Sequence, residues 1–380
     1  MKITPLRLLF VLGSRGEWGY IKPVIDEATR RGHEPAIVAT NMAVLPRYGD
    51  LASVVTELGY EVTDRIYTAF EGDLHATMAK SVFAAGSGIV DVLNQRRPDW
   101  LVLAGDRAEQ LGAAVAGSFT YTPTAHIQAG EISGNIDDTS RHAIARLAHL
   151  HFAANDDAAM RLARSGEQLW RVHKTGAPQL DEVVRRQDGG YPVATQLSVP
   201  GHDFCIAVFH PITESRGDLA KQMGQLLAAL NSVGRHCVWI LPNNDAGGLE
   251  IREIIESQSR VTNSVFVNLD RDLFLGLMQA SKYIIGNSSA GILEAPSLGT
   301  PAINIGRRQL GRVRGANVID VEPDRESIIA GIRNALDDDF RRLCDEATNP
   351  YGDGHASERI VSILENATVD ERLLIKRLTI

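Results

Sequence analysis

Asp106 and Arg107 follow Gly105 directly after an apolar run, Trp100-Leu101-Val102-Leu103. Downstream come His126-Ile127-Gln128-Ala129-Gly130-Glu131, then Asp137-Asp138 and Arg141-His142. Proton transfer on two sides of a reacting centre needs this mixture of acids, bases and cations. An ion pair or a helix cap accounts for any one of these residues equally well. As a set they favour a site.

Two glycine-containing loops suggest an anionic ligand. Gly13-Ser14-Arg15-Gly16-Glu17-Trp18-Gly19 follows the apolar run Leu8 to Leu12 and precedes a helical pattern. Its glycines would let the backbone approach a phosphate at a helix start; a plain tight turn uses the same residues. Gly286-Asn287-Ser288-Ser289-Ala290-Gly291 leads into Ile292-Leu293-Glu294-Ala295-Pro296. There, two hydroxyls and several N–H groups could cradle a diphosphate, and Glu294 could accept hydrogen bonds from a ribose diol. A Ser cap followed by an exposed Glu in the first turn is the structural alternative. Gly299-Thr300-Pro301 and Arg307-Arg308-Gln309 make this second cluster more specific. His210 ends another apolar run before Pro211, and Pro242-Asn243-Asn244-Asp245-Ala246-Gly247-Gly248 is a polar loop of either turn or nucleotide chemistry.

These clusters need a scaffold, and the chain offers a repeated one. Leu8–Leu12, Ala36–Ala39 and Trp100–Leu103 read as buried parallel strands, with helical patterns such as Ile21–Arg31 between them. After the polar stretch Gln187–His202 the series restarts with Phe204–Phe209, Cys237–Leu241, Val265–Val267, Tyr283–Ile285 and Ala302–Ile305. Leu219–Val233 and Arg271–Ala280 are helical candidates in that half. With 380 residues, two domains are expected rather than one core. The reading is α/β, two Rossmann-like domains with a cleft between them. Residues 1–185 form the first domain, with the acid/base residues, and 200–365 the second, with 366–380 a C-terminal tail. Ligands of open α/β sheets bind beyond the carboxyl ends of strands, where most of the polar clusters begin.

Composition narrows the partners. The net charge is −8 and no basic run stands out, which argues against nucleic acid. The apolar start is too short to span a membrane, and no membrane partner is expected. Cys205, Cys237 and Cys344 are odd in number and far apart, so neither a disulfide framework nor a zinc knuckle is indicated and the expected compartment is the cytoplasm. No metal-ligand spacing is evident, and neither metal nor cofactor is expected.

Taken together, Gly105-Asp106-Arg107, His126 to Glu131, Arg141-His142-Ala143-Ile144, Gly286-Asn287-Ser288-Ser289 and Glu294-Ala295-Pro296 resemble the hydrolysing UDP-N-acetylglucosamine 2-epimerases. These enzymes supply N-acetylmannosamine or a relative for sialic acid-type sugars. The resemblance runs in order from the first strand past Arg312. It implies a fold like the type B glycosyltransferases, a UDP-sugar substrate and a homo-oligomer, dimer or tetramer. By position it assigns Arg15, Arg107, His210, Asn243, Ser288, Ser289, Glu294 and Arg308 to the nucleotide and diphosphate. Asp106 and Asp137 match acidic residues used around the sugar, with Glu131 a further proton-handling candidate and Gln128, Arg141 and His142 beside them. His210 is also a candidate for assisting diphosphate departure. Non-hydrolysing relatives carry Glu where this chain has Gln128, and hydrolysing ones tend to have Gly at the position of Ala129. A non-hydrolysing epimerase, a glycosyltransferase and a non-catalytic nucleotide-sugar binder are the competing readings. The groups at sugar C4 and C6, and a GDP-linked variant, stay open.

Overall fold

The computed structural model describes residues 4–70, 74–185, 191–199, 203–212, 217–258 and 263–379. The chain forms two compact units, Met1–Ile132 with Ile136–Glu182 and Tyr351–Ile380, and Ser133–Asn135 with Val183–Pro350.

In the first unit, strands β1 (Arg7–Leu12), β2 (Glu34–Thr40), β3 (Val62–Ile66), β4 (Trp100–Ala104), β5 (Thr124–Ile127), β6 (Leu150–Ala153) and β7 (Val172–Lys174) make one sheet. Its order is β3-β2-β1-β4-β5-β6-β7, parallel at every pairing. Helices cover both faces, so a continuous apolar run such as Leu8 to Leu12 has no solvent face to present. Leu8, Phe10 and Leu12 pack with Trp18, Ile21, Val24 and Ile25 of the helix Arg15–Arg30. Leu9 and Val11 face Ile89, Val92 and Leu93 of the helix His75–Arg96, together with Ala113 and Ala116. That helix is long and apolar enough by length and composition to cross a membrane. Here its inner side packs on the sheet, and Gly86 meets Gly112 of the helix Ala108–Phe119 so closely that a Cβ on Gly112 would lie 2.4 Å from the Val82 carbonyl.

The C-terminal stretch corrects the expected domain limits. Residues 351–365, placed by the sequence with the second domain, belong to the first unit. Ile360, Val361 and Leu364 of the helix Ala356–Asn366, and Leu373 beyond it, complete the core around Trp18 and Phe10. The described part of the expected C-terminal tail, residues 366–379, belongs to the same unit. The helix start is fixed by Asp181, wholly buried, which accepts from the N–H groups of Ala356 (3.0 Å) and Ser357 (2.8 Å).

In the second unit β8 (Phe204–Val208), β9 (His236–Ile240), β10 (Ser264–Phe266), β11 (Ile284–Gly286), β12 (Ala302–Ile305) and β13 (Val318–Val321) run parallel in the order β10-β9-β8-β11-β12-β13. Leu219–Val233 and Ile328 with Ile332 cover one face, and Leu277, Met278 and Ala295 the other. Both units are Rossmann-like. The strand order reverses between β1 and β4 in one sheet and between β8 and β11 in the other, which is where such folds open a crevice.

Replacing Asp181 with Ala leaves two N–H groups at a buried helix start without their acceptor. The loss should be about 1–2 kcal/mol, as for other strong N-terminal caps, read as a lower denaturation midpoint with unchanged slope.

Candidate active site

The reversal point of the first sheet gathers the ends of β1 and β4. Behind β1 the sequence Ser14-Arg15-Gly16-Glu17 is a capping box: the Glu17 Oε2 accepts from the N–H groups of Gly13 (2.5 Å) and Ser14 (2.7 Å). This changes the expected phosphate cradle, because the first two N–H groups of the turn already serve an internal carboxylate. Beside it lies a second buried acid, Glu109, which accepts from Asn41 Nδ2 (2.7 Å) and Arg107 Nε (3.1 Å). Burial raises the Glu17 pKa well above the carboxylate range, and the neighbouring Glu109 charge adds to this. A Cβ on Gly13 would sit 2.1 Å from Glu109 Oε1, so glycine there makes room for the acid pair. Arg15 opens the helix, and burial lowers its guanidinium to about 10.

The next strand ends carry the acid/base candidates. Gly105 bends the chain at φ +80°, and Asp106 follows. The carboxylate of Asp106 pairs with Arg141, a buried residue in the middle of the helix Ile136–Leu147. The other arm of Arg141 donates to the Gln128 carbonyl at 2.8 Å. Gln128 holds a left-handed backbone, φ +61°, unusual for a side chain of its size. Its amide donates to Gln179 Oε1 at 3.1 Å, while its Oε1 is buried with no partner among the described residues. Gly130, also left-handed, cannot be replaced freely, since a Cβ would lie 2.4 Å from the Ala158 carbonyl. The turn delivers Glu131, which is buried. Asp137 stands half-buried in the first turn of the helix that carries Arg141, and His142 lies 3.7 Å from Asp138 one turn on. Burial lowers the His142 pKa.

His126 is not a loop residue of this cluster. It lies inside β5 opposite His151 of β6, and burial holds its pKa at about 3. The imidazole is therefore neutral, with Nε2–H donating to the Gly105 carbonyl at 2.7 Å.

In the second unit the reversal point is organised by a residue that the sequence reading placed in a cluster but gave no role of its own. The fully buried Asn287 accepts at Oδ1 from the His210 N–H (2.7 Å) and donates from Nδ2 to the His210 carbonyl (2.9 Å). Its own carbonyl accepts from Arg308 Nη1 (3.2 Å) and Gln309 Nε2 (2.9 Å). The pairing Val208↔Gly286 makes this possible, and a Cβ on Gly286 would be 2.0 Å from the Val208 carbonyl. Asn243 joins the group, its N–H donating to His210 Nδ1 at 3.4 Å, while its side-chain amide makes a turn with Asp245. Ser288 and Ser289 stand half-buried at the start of Ala290–Leu293. That helix is one turn long, so its dipole is smaller than the sequence suggested. Glu294 is buried rather than exposed, 3.7 Å from Arg271, and burial raises its pKa against the pull of that arginine. Glu109, Asn41, Gln179 and Arg271 were missed as site residues, while Glu17 and Asn287 were read only as members of their clusters, without a role of their own. The spacing Ser14-x-x-Glu17 was an available signal of the capping role of Glu17. Among the described residues no cluster of three or more His, Cys, Asp or Glu is set to hold a metal ion.

The UDP-N-acetylglucosamine 2-epimerase family model matches residues 26–365. The chain belongs to that family. It is 30% identical to the hydrolyzing UDP-N,N'-diacetylbacillosamine 2-epimerase of Legionella pneumophila, over 97% of this chain and 98% of that one. Identity to the UDP-N-acetylglucosamine 2-epimerase of Neisseria meningitidis is also 30%, with 95% of each chain covered. Among solved structures, the Neisseria meningitidis epimerase bound to UDP-GlcNAc matches with a TM-score of 0.78 at 20% identity, covering 94% of this chain and 99% of that one. The Methanocaldococcus jannaschii enzyme in complex with UDP-GlcNAc and UDP matches equally well at 0.78, with 19% identity over 95% and 99%. These likenesses support the two Rossmann-like domains of this epimerase. The chain is thus an enzyme of that family, and these two solved structures hold UDP-GlcNAc, the second also UDP.

Asn287→Leu keeps the shape of the hub but leaves the His210 N–H and carbonyl without partners. A loss of about 1–3 kcal/mol is expected for such buried groups, together with weaker UDP binding by calorimetry. Unchanged UDP affinity in the folded variant would separate the hub from the nucleotide site.

Proposed function

We propose that this epimerase is of the hydrolysing kind, converting UDP-N-acetylglucosamine, or a closely related UDP-acetamido sugar, to UDP and the free manno-configured sugar. The observation that carries the reading is the turn after β5. Its Gln128 is an amide tied to Gln179, while Glu131, three residues on, supplies a buried carboxylate in the same turn. An amide exchanges no proton at neutral pH, so the acid of this turn is Glu131. The Legionella pneumophila and Campylobacter jejuni relatives, each 30% identical, are both named as hydrolyzing, which supports the same branch.

The C2 hydrogen of the sugar has no adjacent carbonyl, so its removal must accompany loss of the nucleotide. As the C1–O bond breaks and UDP leaves with the electron pair, a carboxylate takes the C2 proton and a glycal forms. Water then adds at C1 while a proton returns to the opposite face of C2, giving the epimer. Elimination followed by hydration is redox-neutral, and no redox cofactor enters the balance. Asp106, Glu131 and Asp137 are assigned to the two proton transfers and Gln128 Oε1 to a hydrogen bond with the sugar or water. Arg141 and His142 shape this side, Arg141 by fixing Asp106 and the Gln128 carbonyl. Arg308, His210, Arg15 and Arg107 are assigned to the diphosphate, with Ser288 and Ser289 offering hydroxyls. Glu294 and Asn243 are assigned to the nucleoside. A dimer or tetramer is proposed from the family resemblance, and a cytoplasmic location from the three scattered cysteines.

Run in heavy water with UDP-N-acetylglucosamine and with a UDP-diacetamido-trideoxyhexose, the reaction should release UDP and free sugar in equal amounts, the sugar deuterated at C2 by NMR. A product still joined to UDP would place the enzyme in the non-hydrolysing branch; a product protonated at C2 would refute the elimination.

Glu131→Gln and Asp137→Asn should each lower turnover by roughly 10²–10⁴-fold while UDP affinity in calorimetry changes little. Asp106→Asn should do the same with added loss of stability, because Arg141 loses its counter-charge. Near-normal turnover in folded Glu131→Gln would move both protons to the two aspartates. Gln128→Glu should be tolerated or shift the pH–rate profile, whereas Ser289→Ala and Glu294→Ala should weaken UDP binding.

A further inference from the structure

The C-terminal segment brings a cation into the first unit that the proposed reaction does not use. Lys376 lies beyond the helix Glu371–Leu374, and its side chain is 16% exposed. Its Nζ donates to the carbonyls of Ala145 (2.7 Å), Arg146 (3.1 Å) and Ala148 (2.7 Å), and pairs with Glu167 at 2.8 Å. Those carbonyls close the C-terminal end of the helix Ile136–Leu147, the end that carries negative partial charge and groups without partners inside the helix. An ammonium with three donors suits that end, where a neutral side chain would leave carbonyls unserved.

The segment is itself anchored. Buried Arg171 donates to the carbonyls of Arg372 (2.6 Å), Leu373 (2.7 Å) and His149 (3.1 Å). Arg171 and Arg372 both lie over the Trp170 ring, 4.2 and 4.6 Å from its centroid. Glu167 also accepts from Arg146 (2.9 Å) and His151 (3.1 Å), so one carboxylate ties the segment to the helix and to β6.

We infer that Lys376 is a positioning residue: by terminating the helix Ile136–Leu147 it sets the helix along its axis and so places Asp137 and Arg141, and through Arg141 the carboxylate of Asp106. The inference rests on the assignment of Asp106 and Asp137 to the proton transfers. Burial lowers Lys376 to about 8 against the pull of Glu167, while Arg171 and Arg146 add to the lowering. His149 and His151, the other titratable groups near it, are kept neutral by burial, with pKa values of about 4. As pH rises through about 8 the helix end therefore loses its charge, and the brace weakens with it.

The test compares Lys376→Met and Lys376→Arg with the native full-length enzyme. Lys376→Met should lower kcat at least about tenfold and speed hydrogen exchange at the Ala145–Ala148 amides, with UDP affinity unchanged. Lys376→Arg, which keeps a cation with several donors, should recover most of kcat and hold it to higher pH than the native enzyme does. A folded Lys376→Met protein with native kcat, or with native exchange at those amides, overturns the inference. If that variant does not fold, exchange at the same amides of the native enzyme decides. After correction for intrinsic rates it should rise as pH passes 8, and pH-independent protection overturns the proposal. A native enzyme without epimerase turnover would instead fail the functional reading, leaving the exchange result to stand by itself.

Discussion

A guanidinium buried in protein must be neutralised and have its N–H groups met, or the fold loses several kcal/mol. Arg141 is such a group, and the first unit meets its charge and both of its terminal nitrogens, leaving only Nε without a partner among the described residues. One arm takes the carboxylate of Asp106 at the end of β4; the other takes the Gln128 carbonyl at the end of β5. That carbonyl faces Arg141 with Gln128 in a left-handed conformation, and Gly130 then turns the chain where no side chain fits. Glu131 reaches its buried position by that route. A single guanidinium, through one ion pair and one hydrogen bond, thus ties two strand ends to a helix, and the acidic residues inherit their placement from it.

The second unit solves the same problem without charge at its centre. Asn287 makes four hydrogen bonds from side chain and backbone to His210, Arg308 and Gln309: the two to His210 cross the reversal of the strand order, and the other two reach the loop after β12. A neutral amide can serve donors and acceptors together, so the hub positions cations without competing for the negative ligand they would meet. The division would suit the elimination proposed above, with fixed carboxylates for the proton transfers and cations on a neutral frame for the departing diphosphate.

What the sequence made legible follows from this. Strands built of uninterrupted apolar residues, such as Leu8–Leu12 and Phe204–Phe209, were readable because burial on both faces leaves no other pattern. β5 and β6 escaped notice because His126 and His151 interrupt them, and only their neighbours show that these imidazoles are buried and neutral. β3, with Thr63, Asp64 and Arg65, hid as an edge strand with polar faces. The polar clusters after Leu12, Ala104 and Ile285 do lie at strand ends, as read, since strand ends with glycine and charge are local signals. Partners were not local: Glu109 for Gly13, Gln179 for Gln128 and Arg271 for Glu294 come from distant parts of the chain. The return of residues 351–380 to the first unit had no signal, because an amphipathic helix does not name the sheet it will cover.

That return bears on how the protein is made. Synthesis proceeds from the N-terminus, and domains generally fold as they emerge. Here the unit that begins the chain cannot close its core until Ile360, Val361, Leu364 and Leu373 arrive, after all of Val183–Pro350. The second unit is therefore an uninterrupted stretch, apart from Ser133–Asn135, able to fold while the ribosome is still at work. The first must wait, with Phe10 and Trp18 incompletely covered. A ribosome stalled just before residue 351 would hold one finished sheet and one open one, and chaperone demand should concentrate on the half that was translated first.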